Sequence, residues 1–307
     1  ADELPDNVLE LIRSAVKEES PDYVVLGEVW EDAVEKESYG RKRTYALGDA
    51  LDTVMNYPFR TAVLSFLSGE SDAQQLADAL LAQRLHYPMP MYYALMNLLS
   101  SHDVPRIRTM LAIVPEQMPD DRAKQAARNI TAAEDARGAQ LQKLAAAICY
   151  FLPGVPSVYY GDETGMNGFR DPFNRAPFSQ GAFPLTDWYT ALGALRNSAD
   201  ALRTGAIGIY APARDLLVIL RLILGGTDMF GARKENAVYL MAVNRSAASM
   251  SGDVVLTEPG HGLEKVQLNA LKGISLAQGP ALWGSGVLRI AGCTAHLDLP
   301  ALSASVF

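Results

Sequence analysis

"PDYVVLGEVWEDA", residues 21–33, is the stretch on which the rest of the chain turns. Tyr23 to Leu26 is an unbroken run of aromatic, β-branched and aliphatic residues, which predicts a buried strand; Gly27 ends it and delivers Glu28, Trp30, Glu31 and Asp32. A carboxylate where a buried strand stops fits two readings: a polar loop that caps the strand, or an acid presented for chemistry. Spacing alone does not choose between them.

Working outward, Val8, Leu11, Ile12 and Ala15 recur at helical spacing upstream, with Asp6 as candidate N-cap, so a helix is predicted before the strand. The same alternation continues downstream. "LDTVMNY" reads as a strand, "DAQQLADALLAQRL" as an amphipathic helix and "ALMNLLS" as a strand or buried segment. "GAQLQKLAAAICYFL" reads as a long apolar helix, "VPSVYYG" as a strand and "DWYTALGALRNSADAL" as a helix. Strands separated by helices imply parallel βαβ units, whose right-handed crossovers bring the ends of the strands to one side. Beyond residue 203 the pattern changes to short β-type runs, "LLVILRLIL", "AVYLMAVN", "GDVVL", "GVLRIAG" and "AHLDLPALSASVF", which predict a β-sandwich; "LGGTDMFGARKEN" reads as an exposed hairpin loop.

With 307 residues, 49% hydrophobic and 20% charged, the chain can bury one large core and a smaller one. Its formal charge of −8 argues against nucleic acid or an anionic membrane as partner and favours a neutral substrate. Cys149, inside "LAAAICYFL", and Cys293 have no metal or redox spacing and read as core thiols. No apolar run reaches the roughly 20 residues that a membrane-crossing helix needs, since Arg221 interrupts "LLVILRLIL". The opening "ADELPDNVLELI" lacks a signal-like apolar core and reads as that of a fragment or processed product.

Asp103, in "NLLSSHDVPR", follows a predicted strand as Glu28 does. If the strands are parallel neighbours in one barrel, both acids reach its C-terminal face and share a cleft. Two carboxylates in one cleft are the minimum for glycoside hydrolysis, one assisting the leaving oxygen as an acid while ionised carboxylate stabilises an oxocarbenium-like centre. His102 suits a hydrogen bond to a sugar hydroxyl, or a loop-stabilising cap.

"LGEVWEDA", "VMNYPFR", "NLLSSHDVPR", "PGVPSVYYGDETGM" and "GFRDPFNRAPF" resemble, in order, successive signatures of the alpha-amylase family, glycoside hydrolase family 13. The "MNYPFR" and "SHDVPR" forms are most similar to its neopullulanase, cyclomaltodextrinase and maltogenic amylase branch. The resemblance implies an α/β fold: the C-terminal half of a (β/α)8 barrel, strands five to eight, over residues 1–203, followed by a β-sandwich domain over 204–307. It implies Glu28 as general acid/base and Asp103 as transition-state stabiliser. His102, Trp30, Asn56 and Tyr57 become substrate-binding residues, and "DPFNR" around Arg175 a structural loop. The branch usually carries Thr where Val104 stands, and "SQGAFPL" replaces a Trp-containing stretch, so the entry loop is expected to differ.

The nucleophile of the family is an Asp in a motif resembling Arg-Leu-Asp-Val, followed by "ADELP", so the chain is expected to start just past it. Asp2 and Glu3 read as acids favouring the first turn of a helix rather than as substitutes. The expected partner is an α-glucan oligosaccharide or polysaccharide, with no cofactor and no bound metal. An open half-barrel further predicts self-association or pairing with the missing N-terminal half. By analogy with the branch the location is cytoplasmic. A catalytically inactive glucan-binding fragment is the alternative.

Overall fold

The computed structural model describes residues 1–178 and 185–307; most of "SQGAFPL" therefore lies outside the described residues. Leu26–Gly27 pairs in parallel with Thr53–Val54, Met55 bridges in parallel to Met96, and Met96–Leu98 pairs in parallel with Val155–Ser157. The four segments thus form one parallel row, in the order in which the alternating pattern predicts them.

Helices fill the crossovers, and local chemistry sets their ends. Tyr57–Ser68 starts where the Asn56 side chain accepts the Phe59 amide and stops at Gly69, whose φ of 95° suits a residue without a Cβ. Ala73–His86 and the 20-residue helix Ala132–Phe151 both begin with a capping box, Asp72 with Gln75 and Thr131 with Glu134. Phe59, Phe66, Leu76, Leu144 and Ile148 from these helices are almost wholly buried in one core. Each such side chain contributes about 1.5–3 kcal/mol of burial energy.

From Ala206 onward the chain forms two antiparallel four-stranded sheets. One contains Ala206–Ala213, Leu216–Ile223, Ala237–Asn244 and Ser303–Val306; the other contains Met250–Val255, Gly279–Pro280, Val287–Ala291 and Thr294–Leu299. Strand Leu216–Ile223 is buried on both faces, which explains its continuous apolar run. Leu217 and Ile219 pack with the helices, whereas Leu216, Val218, Leu220 and Leu222 pack towards the second sheet. By the two-residue period Arg221 joins the helix-facing set. Its guanidinium, fully buried, donates to the Phe151 carbonyl at the end of the long helix and to the Gly205 carbonyl. Arg196 donates to the Tyr150 and Leu152 carbonyls of the same helix end. Two cations thus sit where the helix dipole is negative.

Two expectations need correction. Tyr23, Val24 and Leu26 are 59%, 65% and 44% exposed, so this strand is not buried: among the described residues it has a β partner on one side only. Val155 and Val158, at the other end of the parallel row, are exposed as well. Cys293 is no core thiol; it sits half-buried after Gly292 in the tight turn between Val287–Ala291 and Thr294–Leu299, and only Cys149 of the two is buried. Strand Ala206–Ala213 and helix Lys265–Lys272 are additions to the elements that the sequence pattern predicts.

Candidate active site

Glu28 stands directly after the first parallel strand, and Asp103 lies in the loop after the third. The two acids meet as expected: one carboxylate oxygen each from Glu28 and Asp103 and a ring nitrogen of His102 all lie within 4.8 Å of one another. An inverting pair of acids needs roughly 6.5–9.5 Å to admit a water on the far face of the sugar, so this pair is too close for that role. The same three groups are also the one cluster of three His, Cys, Asp or Glu side chains among the described residues close enough to share a metal ion, which the sequence did not suggest.

Tyr57 caps this group from below. Its hydroxyl donates to Glu28 Oε1 at 3.0 Å, and its ring stacks on Trp30 with centroids 4.2 Å apart and planes 5° from parallel. Trp30 is 46% exposed and keeps a face towards solvent. Burial pushes the Tyr57 hydroxyl up to about 12, and the neighbouring Glu28 carboxylate acts in the same direction, so it stays a proton donor at neutral pH. Trp30 and Asp103 contribute to the lining of a hollow of about 580 Å³ that also includes Arg60, Met110, Phe169 and Arg170.

The loop carrying His102 and Asp103 is held from several sides. His102 Nε2 lies 3.0 Å from Asp103 Oδ2, and Arg175 reaches Asp103 Oδ1 at 3.4 Å and the His102 carbonyl at 3.2 Å. These groups are exposed enough for solvent to screen the pairs, which orient the loop more than they stabilise it. The stronger restraints are buried. Arg60 donates to the carbonyls of Leu99 and Pro105. Asn174, with no exposed surface, points its amide at the carbonyls of Ser101, His102 and Val104 at 3.1, 2.8 and 2.9 Å. Beneath them Arg106 and Asp162 form a buried pair at 3.3 Å; burial pushes the Asp162 carboxyl up to about 7, although Ser100 and Arg106 oppose the shift.

Asn56 does not join the site. Only 2% exposed, its side chain exchanges hydrogen bonds with Gln83, donates to Asn97 and caps the following helix, which uses it in packing beneath the strands. Asp2 is equally committed: Tyr45 donates to it and Lys36 pairs with it at 2.9 Å, holding its carboxyl below the usual range against the opposing effect of burial. Ser101, Arg60 and Asn174 are the residues that sequence reasoning missed. The sequence reads "DPFNR" as a structural loop, and Asn174 is the residue that makes it one.

Residues 5–203 match the family described as "Alpha amylase, catalytic domain". The chain belongs to the alpha-amylase family. An amylopullulanase of Thermoanaerobacterium thermosulfurigenes is 33% identical over 225 residues, covering 68% of this chain and 12% of that protein. A cyclomaltodextrinase of Geobacillus thermopakistaniensis (strain MAS1) is 30% identical over 254 residues, covering 80% of this chain and 36% of its own length. The chain therefore spans well under half of these relatives. The solved structure of a cyclic α-maltosyl-(1→6)-maltose hydrolase from Arthrobacter globiformis in complex with maltose superposes with a TM-score of 0.68 at 23% identity, over 99% of this chain and 53% of that one. This likeness shows an amylase-like fold. No helix among the described residues is long and apolar enough to cross a membrane.

Proposed function

We propose that the chain carries the acid/base half of an α-glucan glycosidase of alpha-amylase type. The observation that carries the reading is the convergence of Glu28, His102 and Asp103 within 4.8 Å at the ends of parallel strands. Glu28 gives its proton to the leaving glycosidic oxygen and later takes one from the attacking water; ionised Asp103 stabilises the positive charge that develops on the sugar ring. His102 bonds sugar hydroxyls, and the free face of Trp30 packs against the sugar on the leaving side. The covalent partner of a retaining mechanism belongs, on the family resemblance, to a segment outside this chain, and the engaged Asp2 does not replace it.

In the same reading residues 1–203 form strands five to eight of a (β/α)8 barrel and residues 204–307 its β-sandwich domain. The exposed apolar residues at both ends of the parallel row support pairing of these edges with the other half of such a barrel, or with a second copy. The maltose complex of the Arthrobacter globiformis enzyme and the cyclomaltodextrinase relative support maltodextrin-type substrates.

Glu28→Gln, made in the longer protein that also carries the nucleophile, tests the assignment. Removing proton transfer while keeping shape is expected to lower turnover of maltooligosaccharides roughly a hundred- to ten-thousand-fold, with binding nearly intact. Near-native turnover would remove Glu28 from the role.

A further inference from the structure

We infer that Ser101 is a positioning residue that couples the two acids; this rests on the reading of Glu28 as acid/base. Ser101 is only 4% exposed, too enclosed to touch a sugar, yet its Oγ lies 3.1 Å from the Tyr57 hydroxyl and accepts the Asp103 backbone N–H at 3.2 Å. Tyr57 in turn donates to Glu28 Oε1. A phenol has one proton. Directed at Glu28, it leaves the phenol oxygen as an acceptor, so the Ser101 hydroxyl must supply the donor. The proton arrangement is thereby set: Ser101 O–H to Tyr57 O–H to Glu28, with Ser101 Oγ receiving the Asp103 amide. One hydroxyl fixes both the direction of the bond that holds Glu28 and the backbone position from which Asp103 projects.

The arrangement also responds to the state of Glu28. Ionised, Glu28 accepts from Tyr57 and the donor chain is satisfied along its whole length; protonated, its own O–H can donate to the Tyr57 oxygen, which turns the phenol proton towards Ser101. Among the described residues, Ser101 is the only side chain hydrogen-bonded both to the phenol of Tyr57 and to the Asp103 backbone. Deleting it leaves the phenol oxygen without its donor and the Asp103 amide without this partner, while Tyr57 keeps its bond to Glu28 and its stack on Trp30.

The test uses protein labelled with 13Cζ-tyrosine, the Tyr57 signal being assigned by its loss in Tyr57→Phe. Ser101→Ala is expected to shift that signal at neutral pH, Ser101→Thr to restore it, and Glu28→Gln to shift it as well. In kinetics of the longer protein that also carries the nucleophile, on maltooligosaccharides, Ser101→Ala is expected to lower kcat about tenfold with KM unchanged, and to cause a smaller loss in a Tyr57→Phe background, where only the Asp103 amide contact remains to be removed. A Tyr57 signal unmoved by Ser101→Ala, or losses that add in the double variant, would overturn the assignment. Full turnover in Glu28→Gln would instead overturn the catalytic reading, and the Tyr57 signal, which needs no turnover, would still decide whether Ser101 holds the chain of hydrogen bonds.

Discussion

Asn174→Asp changes one atom group and reverses the polarity of the strongest buried restraint on the loop that carries His102 and Asp103. The amide nitrogen of Asn174 lies about 3 Å from the carbonyl oxygens of Ser101, His102 and Val104 and meets no carboxylate there, while its own oxygen has no hydrogen-bond partner among the described residues. An ionised carboxylate in that place would face three acceptors with nothing to donate. The variant is therefore expected to fold with the new carboxyl protonated, its single O–H replacing part of the lost donation. Holding that proton at pH 7 on a group with an unfolded pKa of about 3.9 costs about 4 kcal/mol, at 1.36 kcal/mol per pH unit. Near pH 4 that cost vanishes and about 1 kcal/mol remains for the lost hydrogen bond. The sign follows from linkage: the folded pKa is raised, the native state binds the extra proton, and stability relative to the wild type falls as pH rises above about 4. Urea unfolding of both proteins between pH 4 and pH 7 measures it. A stability difference that does not change with pH would refute the claim that three carbonyls converge on this amide.

Asp162, buried against Arg106 with a carboxyl pushed up to about 7, acts in the same direction in the native protein. Unfolding free energy is expected to decline as pH rises from about 4 towards 7, and to lose that slope in Asp162→Asn, again by denaturant titration. Thr131→Ala removes the cap of the 20-residue helix and is expected to cost about 1 kcal/mol, read as a lowered midpoint of unfolding. Gly161 has a φ of +88°, and an added Cβ would come within 2.2 Å of Met166 Sδ, so Gly161→Ala is expected to destabilise by roughly 1–3 kcal/mol, measured in the same way. Cys149 is buried with its thiol pushed up to about 12, so a thiol reagent at pH 8 is expected to label Cys293 in the native state and Cys149 only after unfolding, counted by mass spectrometry.

The alternation of strand and helix, the strand-end position of Glu28 and Asp103, and the change to β structure after residue 203 were legible because each leaves a periodic or motif-sized trace. What was not legible depends on which groups meet. The run around Ser101 looks like the end of an apolar segment, and nothing in it shows that its hydroxyl faces Tyr57. Asn56 sits in a motif beside a site residue, but alternation turns it inward, where Gln83 and Asn97 complete its hydrogen bonds. Strand Ala206–Ala213 contains Gly208 and Pro212, both poor strand residues, and its place is set by pairing with Leu216–Ile223. Helix Lys265–Lys272 is too short for its period to stand out among strands.

The contact of Arg221 with Phe151 has a consequence for how the molecule can be divided. The polypeptide changes character near residue 204, yet a positive charge from the later part closes a helix that belongs to the earlier one. Cutting the gene at that point would leave the guanidinium with the Gly205 carbonyl alone in one product and the Phe151 oxygen without its cation in the other. Swapping the trailing β unit for that of a relative is expected to succeed only when the donor brings a cation to the same spot.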